Sequence, residues 1–99
     1  MSLIKLPFSP EMAFAIIVGQ KCCTSRRTVK GAPGDLFVIG GVRFRLLTVL
    51  PFPIVFITRS FYRAEGFDSI DDCAAALQKF YPDLSQYDNL NVHFFARMA

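Results

Sequence analysis

The chain has 99 residues, enough for one small domain and too few for two. With 53% hydrophobic and 19% charged residues it is not a disordered chain, and at this size one core forms without disulfide staples. The net charge of +3 excludes a strongly acidic or strongly basic protein. The cations gather at Lys21, Arg26, Arg27 and Lys30, then at Arg43 and Arg45, then at Arg59 and Arg63. Asp68, Asp71 and Asp72 make the last third more acidic. That asymmetry suits one face turned toward phosphates, or simply a solvated basic surface.

Ser2 to Leu6 reads as a short first strand. Ser9-Pro10-Glu11 is a helix start, with a hydroxyl cap, a first-turn proline and an acid at the positive end of the dipole. Met12 to Val18 is apolar all round, which predicts a buried helix, and Gly19 supplies the left-handed residue that closes it. Residues 22–29 read as a strand and Gly31-Ala-Pro-Gly34-Asp35 as a turn. Leu36 to Ile39 and Val42 to Leu50 are strands joined by Gly40-Gly41, a hairpin signal. In the second, Val42, Phe44 and Leu46 alternate with Arg43 and Arg45, giving one apolar and one basic face.

Pro51 and Pro53 mark an edge or bend before a short strand at Ile54 to Ile57. Thr58 is placed to cap a helical turn running to Glu65 and ended by Gly66. Ser69-Ile-Asp-Asp72 resembles a capping box with Asp in place of Glu, opening a helix to about Tyr81 that Pro82 stops. Leu90 to Arg97 alternates as a last strand. The expected fold is α+β and β-rich, a single domain over residues 1–99. Five or six strands form a mixed, mainly antiparallel sheet that closes toward a small barrel with two principal flanking helices. Eleven phenylalanines and no tryptophan make phenylalanine the main source of core volume.

The densest chemistry lies at Gly19-Gln-Lys21-Cys-Cys-Thr24-Ser-Arg26. Lys21 and Arg26 can hold an anion, and Thr24 can donate a hydrogen bond or, once activated, attack an electrophile. Residues three apart on a regular strand face opposite ways, so Lys21 and Thr24 share a pocket only if 21–23 is a turn or bulge. Thr24 and Arg26 share a face without one. Arg27, Arg43 and Arg45 extend the basic set available to a ligand. The alternative for Lys21 is a cation that merely meets the helix dipole, and for Thr24 an ordinary strand residue. No cofactor is implied. His93 stands alone and the three cysteines lack zinc spacing, so no metal site is expected. Reduced thiols fit a cytoplasmic protein. The start Met-Ser-Leu-Ile-Lys does not read as a signal peptide, lacking a basic leader followed by an apolar core, and the apolar run Leu46 to Ile57, broken by Thr48, Pro51 and Pro53, falls short of the ~20 residues a membrane needs.

Gly19-x-Lys21-x-x-Thr24-x-Arg26 resembles the signature of the ASCH domain, a PUA-like family. Gly34-Asp35 is similar to the family's following turn, and Ile57-Thr58 with Ala64-Glu65-Gly66-Phe67 and Ser69 resembles the segment before its second main helix. The order and spacing hold from about Leu6 to Phe95. The resemblance implies a PUA-like barrel whose cleft binds RNA or a nucleotide. It also implies, from one amidohydrolase branch that deacetylates N4-acetylcytidine, a catalytic set of Lys21, Thr24 and Glu65. In that reading Thr24 is the nucleophile while Lys21 and Glu65 assist. Glu65 is otherwise a structural ion-pair partner of Arg63 or Lys21. RNA or nucleotide binding is the favoured function, amide hydrolysis the alternative. A protein-interaction adaptor using Phe61, Tyr62 and Phe67 is a third class.

Overall fold

The first helix sets the frame of the site. In the computed structural model, which describes residues 2–99, α1 spans Pro10–Ile17. Ser9 Oγ accepts the Met12 N–H at 3.3 Å, so the hydroxyl cap read from the sequence is in place. Gly19, at φ +83°, turns the chain out of the helix, and the N–H groups of Gln20 and Lys21 both return to the Ala15 carbonyl. This irregular exit delivers Lys21 to the start of β1, Cys23–Arg26.

The remaining elements are β2 (Leu36–Ile39), β3 (Val42–Pro53), α2 (Ile54–Ser60), α3 (Ile70–Phe80) and β4 (Asn89–Arg97). Among the described residues the sheet has four strands, in the order β1-β4-β3-β2, every pair antiparallel. Gly40 and Gly41, both at positive φ, make the β2–β3 hairpin. The sheet curls as a half-barrel with a bulge between Leu46 and Thr48.

Several expectations differ from this architecture, beginning with the buried first helix: Phe14 of α1 is exposed and only Ala15 and Ile16 are buried. The predicted strand at Ser2–Leu6 is reduced to one parallel bridge, Leu3 with Leu36, so the count is four strands rather than five or six. The strand expected over 22–29 covers only Cys23–Arg26. Ile54–Ile57 is helical: Pro53 is the N-cap of α2, and Asp88 and Gln86 carbonyls accept the first N–H groups of Ile54 and Val55. The β-branched composition argues for a strand, but burial of Ile57 and Thr58 against the core overrides it. Thr58 therefore lies inside α2, its hydroxyl donating to the Val55 carbonyl, and caps nothing downstream. Pro51 and Pro53 lie in β3 opposite Asn91 and Asn89, beyond the reach of β2, where one side of the strand has no partner strand. α3 opens as expected, with Ser69 Oγ accepting from Asp72 N–H at 3.0 Å.

Both faces of the sheet are covered. On one, Leu6, Ile16, Phe37, Phe44 and Phe95 pack with Phe8 and the α1 region. On the other, Cys23, Leu90 and Val92 pack with Ile57, Cys73 and Leu77 from α2 and α3. The phenylalanines do fill core volume: Phe37 stacks on Phe44 at 5.4 Å and meets Phe95 edge-on at 5.1 Å. Phe61 is edge-on to Phe52, Phe56 and Phe94, and Tyr62 packs beside it against the same core. Burial pushes the thiols of Cys23 and Cys73 up, the latter to about 12, while Cys22 is exposed. Among the described residues no helix is long and apolar enough to cross a membrane, and no three His, Cys, Asp or Glu side chains cluster as a metal site.

His93 is fully buried in β4 beside Thr24. Its Nε2 accepts the Lys30 N–H and its Nδ1 donates to the Asn91 carbonyl, each at 2.9 Å. A carbonyl can only accept and an N–H only donate, so these partners fix one neutral tautomer. Burial lowers its pKa below the ordinary 6.5. The Asn91 and Thr24 backbone opposes this, and Arg26 and Lys30 add to it. The folded state thus binds the proton more weakly than the unfolded chain. Stability should be complete above pH 6.5 and fall as pH drops through the depressed folded value, by at most about 1.4 kcal/mol per pH unit. Urea midpoints at pH 7.5 and 5.5 measure this, and His93→Gln should flatten the difference.

Candidate functional site

The open edge of β1 is flanked by a cavity of about 220 Å³. One wall is Pro7, Phe8, Ser9 and Met12, from the segment entering α1; the other is Ala76, Leu77, Phe80 and Tyr81 of the α3 end, with Phe67. Lys21, Thr24, Ser25, Arg26 and Glu65 supply its polar groups. Residues from both faces of β1 reach it because the cavity wraps the strand's edge rather than lying on one face.

Lys21 and Glu65 form its base. Lys21 is 4% exposed and Glu65 3%. Lys21 Nζ donates to Glu65 Oε1 at 3.1 Å and to the Glu65 carbonyl at 2.7 Å. Ser25 Oγ donates to the other carboxylate oxygen, Oε2. A buried ion pair needs this full set of partners to offset desolvation. The turn carrying Glu65 is anchored by the N–H groups of Cys22 and Cys23, which both donate to the Ala64 carbonyl. Gly66 then has φ +99°, and a Cβ built there would lie 3.2 Å from Lys21 Cβ, so glycine lets the turn close onto the lysine stem.

Arg26 spans the mouth. Its Nη2 donates to the Pro7 carbonyl at 2.6 Å, its Nε to Thr24 Oγ1 at 3.3 Å, and its guanidinium lies 5.0 Å from the Phe8 ring centroid. Burial lowers its pKa from the ordinary 12.5, opposed by Tyr81 and Glu65, and it remains a cation. Thr24 is buried, with Arg26 as the partner of its hydroxyl oxygen.

Lys21, Thr24, Arg26 and Glu65 thus line one cavity. The irregular stretch covers Lys21 and Cys22 rather than all of 21–23, since Cys23 already belongs to β1, and it is the cavity's place at the strand edge that lets Lys21 and Thr24 share it. Arg27, Arg43 and Arg45 are elsewhere. Arg27 is fork-bonded to Asp83 at 2.8 and 3.0 Å on the surface and lies over Tyr81. Its guanidinium holds the Asp83 carboxyl below its ordinary range. Arg43 and Arg45 are exposed on β3, opposite Val38 and Leu36 of β2. Gly34 and Asp35 serve the backbone. Gly34 is at φ +94°, and the Asp35 carboxylate accepts from Ala32 and Ser2 N–H groups, bonds that lower its pKa. Phe67, placed in an exposed patch by the adaptor reading, is a cavity wall.

Ser25, Phe8, Phe80 and Tyr81 are site residues that spacing alone does not single out. Strand alternation puts Ser25 on the opposite face from Thr24, and only a cavity at a strand edge collects both. The signal for the aromatics is their position beside helix ends, Phe8 before the Ser9 cap and Tyr81 at the close of α3.

No family model and no curated protein matches the chain. Solved structures do. The ASCH domain from Lactobacillus crispatus JV V101 superposes with a TM-score of 0.80 at 15% identity, over 97% of this chain and 78% of that one. The chain has an ASCH-like fold. A hypothetical protein, PH0355, matches with a TM-score of 0.75 at 15% identity over 99% of this chain and all of that one. Protein EF3133 from Enterococcus faecalis V583, of the DUF984 family, matches at 0.66 and 15% over 98% and 78%. At these identities the likeness is one of fold, and the reading of the cavity rests on its own residues.

Two stability measurements probe how the base of this site is held. Glu65→Ala should cost about 3–5 kcal/mol in chemical denaturation, because it strands the buried Lys21 ammonium, and adding Lys21→Met should recover most of that loss. Gly66→Ala should cost about 1–2 kcal/mol from its left-handed backbone alone.

Proposed function

We propose that this ASCH-like domain binds a nucleotide, free or as one residue of an RNA, with the base in the cavity at the edge of β1. The observation that carries the reading is the convergence of Lys21, Thr24, Arg26 and Glu65 on one cavity walled by Phe8, Phe67, Phe80 and Tyr81. The aromatic walls offer stacking, worth about 1–3 kcal/mol per base. The two cations and one carboxylate leave a net single positive charge, which favours a ligand carrying an anion such as a phosphate. A volume of about 220 Å³ lies below the range of drug-sized pockets, roughly 300–1,000 Å³, and suits one base rather than a stretch of polymer. The ASCH resemblance of the signature points to the same ligand class.

Hydrolysis of an N4-acetylcytidine-type amide is the second reading, favoured by Lys21, Thr24 and Glu65 sharing that cavity. It asks more of the resting geometry. Thr24 Oγ1 faces a guanidinium, which takes no proton, and Lys21 Nζ is committed to Glu65. A nucleophilic Thr24 requires Lys21 to leave that pair, give up one ammonium proton to Glu65 or solvent, and only then accept the hydroxyl proton. Binding requires no such rearrangement.

Titration with nucleoside 5′-monophosphates and short RNAs should show affinity that falls between 50 and 200 mM salt, as phosphate contacts do. Arg26→Ala should weaken binding by roughly 10-fold or more, the value of a hydrogen bond to a charged group. Absence of binding at low salt would overturn the proposal. Release of cytidine from N4-acetylcytidine, abolished by Thr24→Ala, would establish the hydrolytic reading instead.

A further inference from the structure

One residue of the cavity wall carries a backbone donor that the sheet leaves without an acceptor. β1 is an edge strand, paired with β4 on one side only. Its phase on β4 is set by the Phe95 N–H, which donates to the Cys22 carbonyl at 3.1 Å. In an antiparallel pair, consecutive residues alternate between pointing their N–H and C=O at the partner strand and away from it. Thr24 and Arg26, opposite His93 and Asn91, therefore point theirs at β4, while Cys23 and Ser25 point theirs outward. Two bonds agree with this phase. The Cys23 N–H donates outward to the Ala64 carbonyl at 3.1 Å, and the outward Ser25 carbonyl accepts from the Tyr81 hydroxyl at 3.2 Å.

The Ser25 N–H shares that outward edge, and it has no acceptor among the described residues. Ser25 lines the cavity and is only 6% exposed. A buried N–H without a partner is rare and costs about 1–3 kcal/mol, so such a group in a cavity wall marks a contact left for a ligand. A second donor sits one residue away. Thr24 Oγ1 accepts from Arg26 Nε, which leaves the hydroxyl's own proton to donate. The ends of the edge are closed by Ala64 and Tyr81, which leaves room for a small ring and none for an added strand.

We infer that the ligand is read by the free edge of β1: the Ser25 N–H, seconded by the Thr24 hydroxyl, donates to an acceptor on the planar ring held between the aromatic walls. The ring's edge toward β1 then carries a carbonyl oxygen or an unprotonated ring nitrogen, as the pyrimidine bases do. An edge of amino groups alone would leave the Ser25 N–H buried and unpaired. The inference rests on the nucleotide reading above and assigns the specificity to main chain, which a side-chain motif does not encode.

The test is a titration of 15N-labelled protein with cytidine and uridine 5′-monophosphates. The Ser25 amide proton should move downfield, and its exchange with solvent should slow by roughly 10-fold, the equivalent of one hydrogen bond. Ser25→Pro removes the N–H and Ser25→Ala retains it, while both remove the hydroxyl. If both fold by circular dichroism, Ser25→Pro should bind roughly 10-fold more weakly than Ser25→Ala. The labelled parent protein decides the matter if the proline variant does not fold. Nucleotide binding with an unmoved Ser25 amide would overturn this inference and leave the nucleotide reading standing. No binding of either nucleotide at low salt would remove both.

Discussion

The buried ion pair between Lys21 and Glu65 is the constraint on which the site depends. It joins residues 44 apart in sequence, one at the exit of α1 and one in the turn between α2 and α3. Each charge is nearly excluded from water, so neither is stable there without the other. The remaining polar capacity is met by the Glu65 carbonyl and the Ser25 hydroxyl, which ties β1 into the same network. The glycine after Glu65 lets the turn close to van der Waals distance of the lysine stem. The pair thereby holds the helix exit, the edge strand and the turn at one point, and the cavity is the space left beside it.

An edge strand is ordinarily a hazard, because its unpaired N–H and C=O groups invite another strand. Here the edge is managed by short pieces rather than by a fifth strand. Ala64 takes the N–H groups of Cys22 and Cys23, Tyr81 covers one carbonyl, and Arg27 and Asp83 clasp the end of α3 beside them. What remains open is a gap of about 220 Å³ with aromatic rings on both sides. Binding sites on sheets gain precision from this arrangement, since main-chain donors of a packed strand cannot drift as long side chains do.

The charge pattern of the chain divides by role once folded. Lys21 and Arg26 are held at the cavity with their geometry fixed by hydrogen bonds, whereas Arg43 and Arg45 stand on a solvated sheet face. Arg27 is balanced by Asp83. A basic composition therefore does not by itself show which cations share a cavity. Cations whose donors are fixed by carbonyls and carboxylates are pre-organised for a ligand, and mobile surface ones are not.

The sequence by itself determined the elements whose signals are local. The Ser9 and Ser69 caps, the Gly19 helix exit and the Gly40-Gly41 hairpin each depend on neighbours within a few residues, and each stands in the structure, whereas the last strand is in place but buried on both faces rather than alternating. The ASCH-like fold was legible as well, because its motifs span nearly the whole chain in order. Tertiary structure alone decided that Ile54–Ser60 is a helix, since core burial outweighs the strand preference of its β-branched residues. It reduced the first strand to a single bridge, Leu3 with Leu36. It alone also brought Ser25 and Tyr81 to the cavity beside Lys21, Thr24, Arg26 and Glu65. Which residues meet at a strand edge depends on what packs against each face, and no spacing within one segment records that.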